Sequence, residues 1–172
     1  MAGFSMIELM VTIAIMAILL AVALPSFEGS LRSNRLATAS NELNGGLALA
    51  RSEALRNPGG AFICSSTNGT ACGGDWNDGW IVWSDLNSDG VLTAADRVLR
   101  YVQTNDRLTV TATAVAPASA TSIGFDRRGR LRDGGARTIT MRPASCPSGV
   151  ELRRDFSVLP TGQVTILRSA CA

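Results

Sequence analysis

The apolar segment near the N-terminus limits most strongly how this chain can fold. In Phe4–Leu24, a run of 21 residues, Glu8 is the only charged side chain. As an α-helix the run is about 31 Å long, which matches a hydrocarbon core of about 30 Å. A secretory signal peptide would have basic residues before the run and a small-residue cleavage site after it, and neither is found here. A buried core helix needs fewer apolar residues, so we expect a membrane anchor over residues 4–24.

Glu8 needs a positively charged partner, because a lone carboxylate inside an apolar helix is costly in a bilayer. No basic residue of this chain lies near it in sequence. If the chain is cut after Gly3, the new amine of Phe4 lies one helical turn from Glu8. The same amine can also meet the Glu8 of a neighbouring copy. We therefore expect the partner of Glu8 to be either the new amine of its own chain or that of a neighbouring copy.

Gly3 followed by Phe4, with Glu8 opening the apolar helix, resembles the class III signal of type IV prepilins and type II secretion pseudopilins. The resemblance implies that residues 1–3 are a leader, that a prepilin peptidase cuts after Gly3, and that Phe4 becomes N-methylated. It assigns subunit assembly to Glu8 and places Pro25 where the family has a helix-kinking proline. The implied partners are other pilin or pseudopilin subunits, the peptidase and the inner-membrane assembly platform.

The basic and titratable residues argue against an enzyme. The chain has no histidine, and its sixteen basic residues are all arginine. These absences exclude a Ser-His-Asp triad, a histidine-ligated zinc or haem, a Schiff-base lysine and a P-loop lysine. No other set of side chains forms a recognisable catalytic group. We therefore expect a structural or binding protein.

Four cysteines predict two disulfides and an oxidising compartment. Cys64 and Cys72 are separated by turn residues, and Cys146 and Cys171 bracket the last segment, so of three possible pairings we expect Cys64–Cys72 and Cys146–Cys171. A zinc site is disfavoured, because there is no C-x-x-C pair and no histidine.

The side of the membrane follows from weighing two signals. Arg32 and Arg35 follow the apolar run, which on the positive-inside rule alone would leave the C-terminal side inside. The cysteines favour the periplasm, and the resemblance does too. We expect a single-pass inner-membrane protein with a periplasmic C-terminal domain, which later enters a fibre.

A second helical pattern follows Pro25. Apolar residues recur on one helical face at Leu36, Leu43, Leu47, Ala50 and Ala54. The pattern predicts an amphipathic continuation over residues 25–56 that packs on the following domain. Gly45-Gly46 weakens its middle.

From residue 57 to 172 the pattern has a period of two and indicates a β-rich domain. Eight short runs are expected as strands: Ala61–Cys64, Trp80–Ser84, Val98–Val102, Leu108–Ala114, Ser122–Phe125, Thr138–Arg142, Phe156–Leu159 and Gln163–Leu167. The predicted fold class is α+β, with one long N-terminal helix packed on a C-terminal antiparallel β domain, as in type IV pilins. Three segments are similar to the GspH/FimT family of minor pilins and minor pseudopilins: Ala50–Ala54, Gly79–Asp85 and Ile123–Gly129.

The segment that follows the second predicted strand resembles the start of a calcium loop. Asp85, Asn87, Asp89 and Asp96 supply oxygen atoms at positions 1, 3, 5 and 12, with Gly90 at the sharp turn. The alternative is a polar β-turn that uses Asp, Asn and Gly for their backbone preferences. No helix precedes the segment, so the turn is favoured, and we expect no cofactor other than this candidate calcium ion.

The C-terminal part of the chain is basic. Residues 126–172 contain nine arginines and four acids, a net charge of +5, whereas residues 57–125 have a net charge of −3. A basic cluster is the electrostatic signature of a polyanion ligand. The candidate DNA-binding residues are Arg127, Arg128, Arg130, Arg132 and Arg137. The alternative is a solvated hairpin in which Asp126 and Asp133 neutralise part of the charge.

Two functions follow from these features. The first is a minor pilin or pseudopilin that is incorporated into a type IV pilus or a type II secretion pseudopilus, in initiation or at the tip. The second is a DNA-binding minor pilin, displayed on the fibre, that takes up DNA in natural transformation. Alternation along a strand would place Arg128, Arg130 and Arg132 on one face for such a ligand.

The N-terminal motif generates the first prediction. In a host with a prepilin peptidase, the membrane-extracted protein should lack residues 1–3 and carry one methyl group on Phe4. Intact-mass spectrometry and N-terminal peptide sequencing measure both changes. A retained Met1 contradicts the prepilin interpretation.

Overall fold

The structure is a computed structural model that describes residues 5–116 and 118–171, and the side chains of residues 22–26 lie outside this description. One helix precedes eight strands. The elements are α1 (Met6–Ala54), β1 (Ala61–Ser65), β2 (Gly79–Ser84), β3 (Arg97–Gln103), β4 (Leu108–Ala114), β5 (Ser122–Phe125), β6 (Arg137–Pro143), β7 (Arg153–Val158) and β8 (Val164–Ser169). The predicted α+β class is confirmed, and each predicted strand overlaps an observed one.

The chain forms two compact units, which divide between Asn34 and Arg35. The first contains the N-terminal part of α1. The second contains the rest of α1 and all eight strands. The expected kink at Pro25 lies among the residues whose side chains are not described, and the expected leader of residues 1–3 lies outside the described residues.

The apolar stripe in the second half of α1 is buried as the sequence predicts. Its five members are all fully buried: Leu36, Leu43, Leu47, Ala50 and Ala54. Gly46 lies on the same side, where a Cβ would approach Ile63 to 3.1 Å and the Trp80 indole nitrogen to 3.4 Å. Gly46 therefore costs helix propensity but lets the sheet approach the helix closely.

The helix ends at its predicted C-terminal signal. The Asn57 side-chain amide donates to the Glu53 carbonyl oxygen at 3.1 Å and to the Glu53 carboxylate at 2.8 Å. Pro58 follows and cannot continue the helical hydrogen bonds. The last helical residue is Ala54, two residues before the expected limit at residue 56.

The strands form two antiparallel four-stranded sheets. The strand order is β3-β2-β1-β5 in the first sheet and β4-β6-β7-β8 in the second. One apolar core joins the buried stripe of α1 to both sheets, and it includes Trp80 and Phe125 from the first sheet and Phe156 from the second. A smaller cluster of Phe62, Cys64, Ile81 and Trp83 forms separately, so β1 and β2 are buried along their whole length.

Two disulfides hold the loops of the β domain. Cys64 is bonded to Cys72 and Cys146 to Cys171, with Cα–Cα distances of 5.7 and 5.6 Å. This is the pairing expected from the sequence. The first bond closes the loop after β1, and the second ties the end of the chain to the connection between β6 and β7.

Two glycine turns pack directly on each other beside α1. Gly129 lies in the connection after β5 with a φ of 71°, and Gly162 lies in the β7–β8 turn with a φ of 77°. A Cβ at Gly162 would overlap the carbonyl oxygen of Gly129. The Leu131 amide also donates to the Pro160 carbonyl oxygen at 3.0 Å. The close approach therefore requires glycine at position 162.

The contact between these turns generates the second prediction. Gly162→Ala should lower the free energy of unfolding by about 3 kcal/mol, because it adds a steric overlap to the left-handed backbone penalty of about 1–2 kcal/mol. The matched control is Gly134→Ala, since Gly134 has a φ of 69° and nothing lies within 4 Å of the added Cβ. Urea unfolding of the full-length protein in detergent, followed by tryptophan fluorescence, measures both. Equal losses in the two variants would contradict the packing argument.

Candidate functional site

The start of α1 is closed by a reciprocal pair of hydrogen bonds. The Ser5 amide and hydroxyl donate to Oε2 of Glu8 at 3.4 and 3.5 Å, and the Glu8 amide donates to the Ser5 hydroxyl at 3.3 Å. This is a capping box, in which Ser5 is the N-cap and Glu8 is the third helical residue. The Ser-x-x-Glu spacing could have predicted it from the sequence, but the role of Glu8 as a cap was missed.

The helix that Glu8 opens presents an apolar surface. Large apolar side chains of the first unit are between 51% and 83% exposed from Met6 to Leu20. Among the residues that the structure describes, no helix is long and apolar enough to cross a bilayer. The predicted processing residues Gly3 and Phe4 lie outside the described residues.

The arginine-rich segment after β5 folds as a tight turn. The Asp126 amide donates to the Arg130 carbonyl oxygen at 2.8 Å, and the Gly129 amide donates to the Asp126 carbonyl oxygen at 2.8 Å. The Asp126 carboxylate accepts the amides of Arg128 and Arg130 at 2.8 and 2.9 Å. The expected strand-like alternation of Arg128, Arg130 and Arg132 is therefore wrong, because a turn does not place alternate side chains on one face.

Arg132 forms an ion pair with a fully buried carboxylate. Its Nη1 lies 3.1 Å from Oδ2 of Asp85 and donates to the Gly59 carbonyl oxygen at 2.7 Å. The guanidinium also lies 5.1 Å from the ring centroid of Phe62, which stacks on Trp83 at 4.5 Å. One side chain thus satisfies a buried charge and covers the smaller apolar cluster.

The segment Asp85–Asp96 is held by hydrogen bonds within the protein. Asp85 accepts the amides of Ser88 and Gly90 at 2.7 and 2.9 Å, and Asp96 accepts the amides of Leu86 and Thr93. Burial acts to raise the pKa of Asp96, but these amide bonds outweigh it and the pKa is lowered.

The candidate calcium ligands therefore have partners of their own. Asp89 accepts the side-chain amide of Asn87 at 2.6 Å, and Asp85 is paired with Arg132. Among the described residues, no group of three or more His, Cys, Asp and Glu side chains is arranged to hold a metal ion. The calcium site at Asp85, Asn87, Asp89 and Asp96 stays a prediction.

Arg137 is not available to a DNA phosphate in this fold. It is only 2% exposed, and its guanidinium bonds to the Asp133 carboxylate and the Gly135 carbonyl oxygen. Burial acts to raise the pKa of Asp133, but the hydrogen bond and charge of Arg137 outweigh it and lower the pKa. Arg127, Arg128 and Arg130 remain exposed at the turn, so the predicted cluster is smaller than the sequence indicates.

A long helix that packs its second half on antiparallel sheets, and presents an apolar first half with a capped glutamate, defines a type IV pilin-like protein. The chain belongs to the family of the type II transport protein GspH, whose model matches residues 39–162. Residues 1–24 match the prokaryotic N-terminal methylation motif. The chain is thus a member of a minor pilin and pseudopilin family of structural fibre components, which are not enzymes. A prepilin-type N-terminus in this family implies membrane anchoring and incorporation into a fibre.

Two solved structures of the type IV minor pilin FimU from Pseudomonas aeruginosa share the fold. In one crystal form the identity is 24% and the TM-score 0.55, over 78% of this chain and 89% of the FimU chain. In the other the identity is 23% and the TM-score 0.51, over 76% and 90%. No curated protein matches this chain significantly.

The ion pair of Asp85 generates the third prediction. Arg132→Leu should lower the free energy of unfolding by about 2–3 kcal/mol, because it leaves a buried carboxylate without its cation. Arg130→Leu is the matched control and should change it by less than about 0.5 kcal/mol, because the Arg130 side chain is exposed. Urea unfolding of the full-length protein in detergent measures both.

A double variant separates the charge from the lost packing. Asp85→Asn in the Arg132→Leu background should recover part of the stability, since it removes the unpaired buried charge. If Arg132→Leu and Arg130→Leu lower the free energy of unfolding equally, the ion pair does not stabilise the domain.

Proposed function

We propose that this chain is a minor pilin or pseudopilin subunit that a prepilin peptidase processes and that enters a type IV pilus or a type II secretion pseudopilus. Its position in the fibre is at the tip or in the initiating complex. The observation that carries the proposal is the exposed apolar half of α1 with Glu8 at its start. Membership of the GspH family supports it.

An apolar helical surface of this extent needs a nonpolar environment. Contiguous exposed apolar patches of more than a few hundred Å² mark interaction or membrane sites. The two environments that fit are the bilayer before assembly and the helices of neighbouring subunits after it. The first unit is therefore the membrane anchor and later the assembly helix, with a single pass through the inner membrane and the β domain in the periplasm.

Glu8 supplies the specific contact when the helix leaves the bilayer and packs on neighbouring subunits. Both of its intrahelical side-chain bonds go to Oε2. The other oxygen, Oε1, can then accept a hydrogen bond from the N-methylated amine of Phe4 in an adjacent subunit. In a low-dielectric surrounding the attraction between these charges is stronger than in water. The assembly platform of the inner membrane would extract the subunit once this contact forms.

DNA uptake is the second candidate function. The exposed guanidinium groups of Arg127, Arg128 and Arg130 support it, and the half-exposed Arg132 lies nearby. Phosphate contacts by such residues give salt-dependent, sequence-independent binding. Several copies on a fibre would be needed to make weak contacts useful.

The role of Glu8 generates the fourth prediction. Glu8→Gln should leave membrane insertion intact but lower incorporation into fibres by about tenfold or more, because it removes the charge that meets the neighbouring amine. Immunoblots of sheared fibres and of membrane fractions measure the two quantities.

Glu28→Gln is the matched control. Glu28 is an exposed acid of the same helix outside the apolar run, so this variant should assemble like the wild type. Normal levels of the Glu8→Gln subunit in sheared fibres would show that Glu8 does not direct assembly.

A further inference from the structure

A groove lies between the second half of α1 and the β7–β8 turn. It has a volume of about 510 Å³ and is lined by Leu47 of the helix, by Leu55 just after the helix and by Val164 of β8. Leu55 is a large apolar side chain that is 57% exposed, although it directly follows a helix whose apolar stripe is fully buried. The volume lies within the range of ligand-binding clefts, about 300–1,000 Å³. Arg51 and Arg128 also line it.

A second depression adjoins the first at Arg128. It has a volume of about 220 Å³ and is lined by Arg127, Arg128, Arg132 and Ser88. Asp126 is the only acid that lines it, and one oxygen of Asp126 already accepts two amides of its own turn. The residues that line the depression are therefore rich in arginine, with one carboxylate that is already partly used.

Arg132, which lines this depression, is held in place by internal contacts. Its Nη1 is used by Asp85 and by the Gly59 carbonyl oxygen, and the side chain is still 37% exposed. The Nε and Nη2 donors form the other edge of the guanidinium, which suits two oxygens of one acidic group. In the described part of the chain, the guanidinium of Arg128 has no hydrogen bond or ion pair. The Nε–Nη2 edge of Arg132 and the guanidinium of Arg128 can thus bind a ligand without breaking an internal contact.

We propose that the two depressions together form a docking surface for an extended acidic–apolar peptide segment of another fibre subunit. An apolar side chain of the partner fills the groove beside Leu55, and a carboxylate two residues away, on the same face of the extended segment, binds Arg128 and Arg132. This inference rests on the proposed function, since it names the chemistry of a partner within the fibre.

Charge and shape favour a peptide over the other anions. The exposed arginines of the turn after β5 attract any polyanion, DNA included. A phosphate backbone would leave the apolar groove uncovered, whereas a leucine and a glutamate two residues apart in an extended peptide face the same surface. The glycine turns fix this geometry, because Gly129 and Gly162 pack against the Arg51 side chain that borders the groove.

The fifth prediction tests this surface with a defined probe. The probe is a fluorescent peptide that repeats leucine, serine, glutamate and serine, which places leucine and glutamate on one face of an extended chain. Its binding to the purified full-length protein in detergent is measured by fluorescence anisotropy. Arg128→Glu should weaken binding by about tenfold or more, because it removes one charge-assisted contact and adds a repulsion. Arg130→Glu is the matched control, since Arg130 lies in the same turn but lines neither depression. It should weaken binding by at most about twofold at physiological salt, where distant charges are screened.

A second pair of variants tests the apolar contact. Leu55→Ser should weaken binding by about tenfold. Val115→Ser is the control, because Val115 is 64% exposed but lies outside the groove. All four positions are exposed, and equal urea unfolding midpoints would show that the variants are folded. A peptide in which serine replaces leucine should bind more weakly than the parent peptide.

Three results would overturn the proposal: no binding at peptide concentrations up to about 1 mM, equal binding of the serine peptide, or displacement of the peptide by single-stranded DNA with tighter binding of the DNA itself. The last result would assign the surface to nucleic acid. Because the measurement needs no fibre, it is independent of the Glu8 test. Peptide binding without fibre incorporation would contradict the proposed function but leave the surface intact.

Discussion

The burial of one stripe of α1 by both β-sheets is the contact on which the rest of the domain depends. Leu43 and Leu47 belong to the same core as Trp80 of the first sheet and Phe156 of the second. Neither sheet has another helix to cover its inner face in the described part of the chain. The sheets therefore hold their relative positions through α1, and the turns between their strands are brought to the side of the helix. The groove beside Leu55 exists because of this arrangement.

The ion pair of Arg132 with Asp85 also holds distant segments of the chain together, at the first sheet. It connects the β2–β3 loop to the segment after β5, two parts of the chain that are 47 residues apart. The same guanidinium covers the stacked rings of Phe62 and Trp83. A residue that composition alone assigns to a polyanion site is thus also a structural cation. The same side chain is still 37% exposed, so its structural pairing does not remove it from the surface.

Much of the functional N-terminus could be predicted from the sequence, because it depends on local spacing. The Gly3-Phe4 junction and Glu8 are recognisable within a few residues, and the cap formed by Ser5 could have been predicted in the same way. The arginine cluster was predicted less well. Arg137 and Arg130 are equivalent in composition, but one is buried against Asp133 and the other is exposed on a turn. Arg137 is the buried first residue of β6, whereas Arg130 lies in the turn before that strand.

The sequence by itself determined the helix and its buried stripe, the eight strands, the expected cysteine pairing and the family's N-terminal motif. Each depends on periodicity, on short turns or on residues close together in the chain. Only the tertiary structure decided that the strands divide into two sheets, that Gly129 and Gly162 meet, and that Arg132 reaches a buried carboxylate. These features join segments that are distant in sequence, and no local pattern specifies which distant surfaces will come together. The packing of both sheets on one helix settles them, because it minimises exposed apolar surface for the whole domain.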